Sequence, residues 1–274
     1  MKRLGRTVAV TMIAGTVGGA ALLGAEAVLA RTRRYAQPEL GLTLRAQLGG
    51  PAAPPLRLVL LGDSTALGVG VDRVADTIGG QLAQLLAAGD PTAGGACAAP
   101  GVPTLPPRRV LLSSVGVSGS RSTDLATQVA RALLGERPDV AVILVGANDV
   151  TGLRRRGESA TYLGAAVRRL TDAGVRVVVG TCPDLGAARA VAPPLRQVIG
   201  WQGRRLARAQ AGAVRKAGGT PVDLAALTGP VFRADAGTLC RDGYHPSADG
   251  YRVWAHAMVP ALFSAVAHPT TPRH

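Results

Sequence analysis

The stretch Leu56-Arg57-Leu58-Val59-Leu60-Leu61-Gly62-Asp63-Ser64 decides the fold class of this chain. It is almost wholly apolar up to Leu61 and then stops at a glycine followed by two polar residues. A short and continuous apolar run of this kind is typical of a strand buried on both faces, as in a parallel sheet covered by helices. A helix-like pattern follows from about residue 75 to residue 88, so the run begins a strand, loop and helix unit.

The same order of strand and helix recurs along the chain and predicts one α/β domain with a parallel sheet. Strands are predicted at 56–61, 110–115, 140–145, 175–181 and 221–224, and helices at 75–88, 122–134, 159–173, 195–217 and 247–266. A long loop is expected between the last strand and the last helix. The Gly- and Pro-rich residues 90–107 are predicted to form a surface insertion.

The composition excludes several classes of protein without naming a function. The chain has 274 residues, of which 47% are hydrophobic, and this excludes collagen, disulfide-rich knots and multi-span membrane proteins. The formal charge of +14 leaves open a nucleic-acid surface, an anionic membrane, or a genome that prefers arginine. Because aromatic residues make up only 3% and no nucleic-acid motif is present, we expect a solvated basic face and no nucleic-acid partner.

The N-terminal sequence predicts export or membrane attachment. Lys2, Arg3 and Arg6 precede the uncharged stretch Thr7 to Ala25, whose nineteen residues are just enough to cross a bilayer. An uncleaved single anchor and a cleaved signal peptide both remain open, since residues 25–27 offer a small-x-small cleavage site. We therefore predict a signal-anchor or signal peptide over 1–30, a Pro-rich linker over 31–55, a globular domain over 56–268 and a tail over 269–274. The oligomeric state stays open.

The cysteines and glycines do not indicate a metal or an organic cofactor. Cys97, Cys182 and Cys240 lack the CxxC spacing of zinc sites. In an exported protein Cys182 and Cys240 are expected to form a disulfide, because both are placed near the ends of successive predicted strands, although buried free thiols are an equal alternative. A nicotinamide cofactor is not expected, since Gly68 and Gly70 lack the third glycine of a dinucleotide loop.

Polar residues gather where the predicted strands end, which is where parallel sheets form their sites. Ser64, Gly119 and Asn148 follow three successive strands, and Asp242 and His245 lie in the last long loop. Serine is a nucleophile once a histidine takes its proton, and that histidine needs a carboxylate to hold its tautomer. The backbone N–H groups of Ser64 and Gly119 and the amide of Asn148 are candidate donors to an oxyanion. These types of residue therefore predict acyl transfer.

Other residues compete for some of these roles. Ser64 alone could cap a helix, and Gly116 is the alternative to Gly119. Asp242 is preferred to Asp235 and Asp249 because it alone precedes His245 by three residues. Two further acidic residues, Asp63 and Asp149, adjoin these positions and are expected to anchor loops through hydrogen bonds to backbone N–H groups. The remaining histidines are His256, His268 and His274, for which structural or solvated positions are expected.

Together these residues form four sequence blocks: Gly62-Asp63-Ser64, Gly116-Val117-Ser118-Gly119, Gly146-Ala147-Asn148-Asp149 and Asp242-Gly243-Tyr244-His245. The four blocks resemble those of the SGNH hydrolase superfamily, also called GDSL esterases and lipases, from Leu58 to about Trp254. The resemblance implies a flavodoxin-like three-layer α/β/α sandwich with a five-stranded parallel sheet, and no cofactor. It implies that Ser64, Asp242 and His245 are catalytic and that Ser64, Gly119 and Asn148 form the oxyanion hole. Thr65 and Ser114 differ from the residues common at these positions in the family. The two differences bear on the geometry of the loops, and neither removes a catalytic atom.

The resemblance also implies carboxylic ester hydrolysis, with short- to medium-chain or lipid-like esters as substrates. The stretch Thr181-Cys182-Pro183-Asp184-Leu185-Gly186 and the His-Pro-Ser loop resemble exported actinobacterial members, so we expect a secreted or membrane-anchored enzyme of the cell envelope. Two alternatives remain open. One is acyl transfer or deacetylation on envelope carbohydrate, and the other is a catalytically retired envelope-binding module.

Overall fold

A six-stranded sheet forms the centre of the computed structural model, which describes residues 19, 21–41, 44–92 and 101–267. The strands are β1 (Arg45–Leu48), β2 (Pro55–Gly62), β3 (Arg109–Ser114), β4 (Val140–Leu144), β5 (Arg176–Gly180) and β6 (Thr220–Val222). Their order across the sheet is β1-β3-β2-β4-β5-β6, and every neighbouring pair is parallel except β1 with β3. The predicted α/β class and its five parallel strands are therefore confirmed.

The predicted strand count was wrong by one, because β1 is an additional antiparallel strand at the edge of the sheet. It lies within the stretch that was predicted to be a linker. Its sequence Arg-Ala-Gln-Leu alternates between exposed and half-buried positions, as an edge strand with one solvated side does. A search for continuous apolar runs does not detect such a strand.

Helices cover both faces of the sheet. They are α1 (residues 21–32), α2 (Ile78–Ala88), α3 (Leu125–Ala132), α4 (Ala147–Thr151), α5 (Arg156–Asp172), α6 (Leu195–Lys216), α7 (Leu224–Ala234) and α8 (Ala248–Ala267). The sequence did not predict α7, because Gly229 and Pro230 suggest a loop. The Asp223 side chain caps this helix by accepting a hydrogen bond from Ala226 N at 3.0 Å, and Leu224 and Phe232 are buried.

Alternate residues of each strand pack into two separate apolar layers. Leu58 and Leu60 of β2 join the layer that includes α2 and α8, whereas Val59 and Leu61 join the layer of α3 and α5. All four side chains are at most 2% exposed. Burial on both faces is the physical reason why the sequence of β2 is a continuous apolar run.

The strand order also determines where a site can form. Counting only the parallel strands in chain order, the sheet reads 2-1-3-4-5, the flavodoxin-like order. The chain passes from β2 to β3 on one side of it and then returns to β4 on the other side, so the connections after β2 and β4 leave in opposite directions. A crevice opens at such a switch point beyond the carboxyl ends of the strands. Ser64 follows β2 and Asn148 follows β4, so both lie beside it.

No membrane-crossing helix was found among the residues that the structure describes, since none there is sufficiently long and apolar. The predicted anchor over residues 7–25 falls largely on residues 1–18 and 20, which lie outside the described part of the chain. The anchor therefore has no support from the structure. Cys97 and the tail from residue 268 also lie outside the described residues.

Candidate active site

Ser64 lies in a tight turn directly after β2. A side chain at Gly62 would overlap the backbone oxygen of Leu144 at 1.8 Å, so only glycine lets β2 approach β4 this closely at its end. The Asp63 carboxylate then accepts hydrogen bonds from the backbone N–H and the hydroxyl of Thr65 at 3.0 and 2.8 Å. Burial raises the pKa of Asp63, although the two hydrogen bonds from Thr65 oppose this. Asp63 thus holds the turn that presents Ser64, as predicted for a loop anchor.

Ser64, His245 and Asp242 form one hydrogen-bonded chain. Ser64 Oγ is 3.0 Å from His245 Nε2, and His245 Nδ1 is 2.6 Å from Asp242 Oδ2. Ser64 and His245 are 8% and 7% exposed, so the chain is nearly dry but open to a small molecule. In this geometry the imidazole can accept the serine proton while the carboxylate holds the ring.

The Asp242 carboxylate is held ionised by its surroundings. Oδ1 accepts hydrogen bonds from the backbone N–H groups of Tyr244 and His245 at 2.7 and 2.9 Å, and Oδ2 accepts one from Ala36 N at 3.0 Å. Burial acts to raise the pKa of Asp242, but the hydrogen bonds from His245, Ala36 and Tyr244 outweigh it and hold the pKa well below its usual range. The carboxylate therefore remains charged at neutral pH.

Gly119 and Asn148 line the same cavity as Ser64 and His245. Gly119 has φ +80° in a turn that is closed by the hydrogen bond from Ser120 N to Val117 O at 3.0 Å, which is the third position of a type II turn. A Cβ there would meet open space, so the backbone conformation and not crowding requires glycine. Asn148 Nδ2 donates to the backbone oxygen of Ser120 at 3.0 Å, which orients the amide and leaves its second N–H for another acceptor.

The alternative glycine, Gly116, lies outside this cavity. Its place is beneath the nucleophile turn, where an added Cβ would come within 2.9 Å of Ala66 Cβ. Ser114, one of the departures from the family pattern, also supports this turn. Its hydroxyl donates to Ala66 O at 2.9 Å and accepts from Gly116 N at 3.2 Å. Of these two glycines, only Gly119 lines the cavity.

A buried glutamine that was not predicted as a site residue joins the two loops of the site. Gln128 of α3 accepts from Gly62 N at 2.7 Å and donates to Gly62 O at 2.9 Å and to Ser120 Oγ at 3.1 Å. It is only 2% exposed. The signal in the sequence was a polar residue on the apolar face of an amphipathic helix.

The cavity is largely apolar and has a volume of about 500 Å³, within the range of small-molecule sites. One wall comes from α1 and the residues after it, through residues 27, 30, 31 and 35–37. We call residues 21–37 the N-terminal strap. The predicted anchor and linker cover this stretch, so its place at the cavity is a difference from the prediction. The rest of the lining includes Val150, Leu185, Val191, Leu195 and Ile199.

The expected disulfide between Cys182 and Cys240 is wrong, because both thiols are free in the structure. Cys182 follows β5, but Cys240 lies in the loop before Asp242 and not at the end of a strand, so the premise of the pairing fails. Cys240 Sγ instead donates to Asp242 Oδ1 at 3.1 Å. Burial and the contact with Asp242 raise the pKa of the Cys240 thiol to about 11.

Asp149 anchors a loop, as predicted for it. Its carboxylate accepts hydrogen bonds from Ser122 N, Ser122 Oγ and Ser159 Oγ, with the last at 2.7 Å. It is 1% exposed and does not line the cavity. Among the described residues, no three His, Cys, Asp or Glu side chains are grouped in a way that could hold a metal ion.

Comparison with known proteins identifies similar enzymes. The sequence model of the GDSL-like Lipase/Acylhydrolase family matches residues 60–253. The chain is 41% identical over 213 residues to the GDSL-like esterase Rv1075c of Mycobacterium tuberculosis (strain ATCC 25618 / H37Rv). That alignment covers 77% of this chain and 63% of the relative, so the chain spans less than two thirds of the relative's length.

Solved structures share the fold at low sequence identity. The crystal structure of TesA superposes with a TM-score of 0.58 at 18% identity, covering 76% of this chain and 99% of that one. A catalytic mutant of Axe2, an acetylxylan esterase from Geobacillus stearothermophilus, superposes with a TM-score of 0.54 at 18% identity, covering 78% of this chain and 95% of that one. These likenesses support the three-layer architecture.

Proposed function

This chain belongs to the GDSL-like Lipase/Acylhydrolase family, and we propose that it hydrolyses carboxylic esters through an acyl-enzyme on Ser64. The observation that carries the proposal is the unbroken chain from Ser64 Oγ through the His245 ring to Asp242, with contacts of 3.0 and 2.6 Å. A serine needs both partners to become a nucleophile near neutral pH. An intact chain also argues against a catalytically retired binding module.

In the proposed reaction, Ser64 Oγ attacks the ester carbonyl carbon while His245 Nε2 takes the hydroxyl proton. The tetrahedral intermediate collapses, the bond to the alcohol breaks, and His245 returns the proton to the leaving alcohol oxygen. Water, deprotonated by His245, then attacks the acyl-enzyme and releases the acid and the free serine. Asp242 stays ionised throughout and stabilises the imidazolium.

We propose that the backbone N–H groups of Ser64 and Gly119 and the Asn148 amide bind the oxyanion. The support is their common position on the cavity and the fixed orientation of the amide through Ser120 O. Donors that are already oriented before the reaction stabilise the developing charge without reorganisation.

The proposed substrates are esters with a short- to medium-chain acyl group. The apolar lining and the volume of about 500 Å³ support an acyl chain more than a sugar ring, which needs more polar partners. Transfer of the acyl group to an alcohol would use the same residues. Product analysis with and without an added alcohol acceptor separates transfer from hydrolysis.

The test is hydrolysis of nitrophenyl esters from acetyl to palmitoyl by wild type, Ser64→Ala and a control, Ser113→Ala. Ser113 is on β3 and does not line this cavity. We expect Ser64→Ala to lose hydrolysis at an unchanged melting temperature, while Ser113→Ala keeps it. Full activity of folded Ser64→Ala would refute the proposal.

We further propose that the protein is exported to the cell envelope and contacts the membrane through its N-terminal segment. The basic start and the uncharged residues 7–25 support this. Glu26 accepts a hydrogen bond from Leu195 N at 2.8 Å, so cleavage within residues 25–27 would remove or disturb a contact of the domain. Cell fractionation with N-terminal sequencing of the mature protein tests both points, and an intact N-terminus in the cytosolic fraction would refute export.

A further inference from the structure

The N-terminal strap is attached to the domain at its helical part. Glu26 Oε2 accepts a hydrogen bond from the backbone N–H of Leu195, the first residue of α6. The preceding residue, Pro194, offers no side-chain cap, so Glu26 provides an acceptor from elsewhere in the chain and a negative charge at the helix N-terminus. Tyr35 Oη donates to Ala30 O at 2.8 Å and so fixes the chain where it leaves α1.

Beyond this point the strap contacts the acid of the proposed triad. Ala36 N donates to Asp242 Oδ2, the same oxygen that His245 Nδ1 approaches. The partners of Oδ1 all belong to the loop of Asp242 itself, at residues 240, 244 and 245. Within the described part of the chain, Ala36 is thus the one donor to this carboxylate from a distant segment.

Tyr35 covers the same pair from the side. Its ring centroid is 6.4 Å from that of His245 and 5.3 Å from that of Tyr244, with interplanar angles of 82° and 62°. Tyr244 in turn lies 5.3 Å from the His245 ring. Edge contacts of this kind favour one orientation of the imidazole ring. The His245 and Asp242 side chains beneath them are 8% and 5% exposed.

We propose that Ala36 and Tyr35 are positioning residues that hold the Asp242 carboxylate and the His245 ring in their reactive orientation. This inference rests on the proposed function. The three donors to Oδ1 hold one oxygen of the carboxylate, and Ala36 N holds the other, so rotation about χ2 is restricted at both oxygens and Oδ2 stays directed at His245 Nδ1. The strap then acts on turnover through Asp242 and His245, and it touches neither the scissile bond nor the attacking oxygen.

The backbone contact is tested with full-length Ala36→Pro and its matched control Ala36→Gly. Proline removes the N–H, whereas glycine keeps it. Because a hydrogen bond to a charged group is lost, we expect kcat for short acyl nitrophenyl esters to fall about tenfold in Ala36→Pro, with KM nearly unchanged and a lower melting temperature. Ala36→Gly is expected to stay within about twofold of wild type. Equal kcat values for the two folded variants would overturn the proposal.

The ring contact is tested with Tyr35→Ala, Tyr35→Phe and the exposed control Tyr162→Ala on α5. Tyr35→Ala is expected to lower kcat, while Tyr35→Phe keeps the ring and restores most of it. If Ala36→Pro does not fold, the two Tyr35 variants still test the positioning proposal. Equal kcat values for Tyr35→Ala and Tyr35→Phe would then overturn it. Failure of the proposed function is distinguishable from failure of the positioning proposal. If the proposed function is wrong, the wild-type protein itself hydrolyses no ester.

Discussion

Gln128→Met is the substitution whose effect on stability follows most directly from the structure. Methionine has a similar length but cannot replace the hydrogen bonds to Gly62 N, Gly62 O and Ser120 Oγ. Gly62 O keeps a partner in Val117 N at 3.1 Å, so the main penalty comes from the Gly62 N–H. A buried unpaired donor costs about 1 to 3 kcal/mol, and with the two other lost bonds we expect a loss of about 2 to 4 kcal/mol.

The assay is urea unfolding followed by circular dichroism, with the free energy of unfolding extrapolated to water. Gln202→Met, an exposed glutamine on α6, is the matched control and should change stability by less than about 0.5 kcal/mol. Esterase activity of Gln128→Met should also fall, because Ser120 orients the Asn148 amide. A destabilisation as small as that of the control would show that Gln128 does not join the two loops as argued.

Four further predictions concern the site. Asn148→Ala should lower kcat by about 10² to 10³, and an unchanged rate would mean that another donor serves the oxyanion. Because the pKa of Asp242 lies below its usual range, its carboxylate stabilises the fold above the ordinary pKa of about 3.9 and this stability is lost as the pH falls below it. The stability difference between wild type and Asp242→Asn should therefore shrink from pH 7 to pH 3, as measured by melting temperature, and a constant difference would contradict the reasoning. Cys240, with a pKa of about 11, should react with iodoacetamide at pH 8 about a hundredfold more slowly in the native than in the unfolded protein, as followed by peptide mass spectrometry. Comparable rates would show that the thiol is neither buried nor held by Asp242. Ala30→Phe should fill the cavity beside the strap and lower kcat/KM for octanoyl esters about tenfold while sparing acetyl esters, and an equal effect on both would place the acyl chain elsewhere.

The parallel strands could be predicted because a strand that is buried on both faces consists of consecutive apolar residues, a pattern visible in the local sequence. Each residue of β4 is buried, and its five apolar residues are adjacent in the chain. The edge strand β1 was not predicted because one side of it meets solvent. Helix α7 was not predicted because its glycine and proline indicate a loop, and a capping aspartate and tertiary burial outweigh them. Residue type alone does not reveal such compensation.

The candidate site could be predicted where the residue type itself carries the chemistry, and the structure brings three of the predicted side chains into one hydrogen-bonded chain. Few residue types can serve as a nucleophile, as its base or as the carboxylate that orients the base, which is why Ser64, His245 and Asp242 became candidates. The offset of three residues between Asp242 and His245 is also visible in the sequence. Gly119 was selected over Gly116 from the resemblance, and the positive φ of Gly119 now supplies a physical reason. The cysteine pairing failed because it assumed that both residues lie near the ends of successive strands, whereas Cys240 lies in the loop before Asp242.

By itself, the sequence determined the α/β class, the parallel strands and the residues whose chemistry predicts ester hydrolysis. Only the tertiary structure decided which distant groups surround them. The contact of Ala36 with Asp242 spans 206 positions of the chain, and that of Gln128 with Gly62 spans 66. An alanine N–H carries no side-chain signal, and a glutamine gains its role only from the backbone groups that the fold brings to it. Contacts of this kind arise when the sheet and helices pack, so no local pattern can record them.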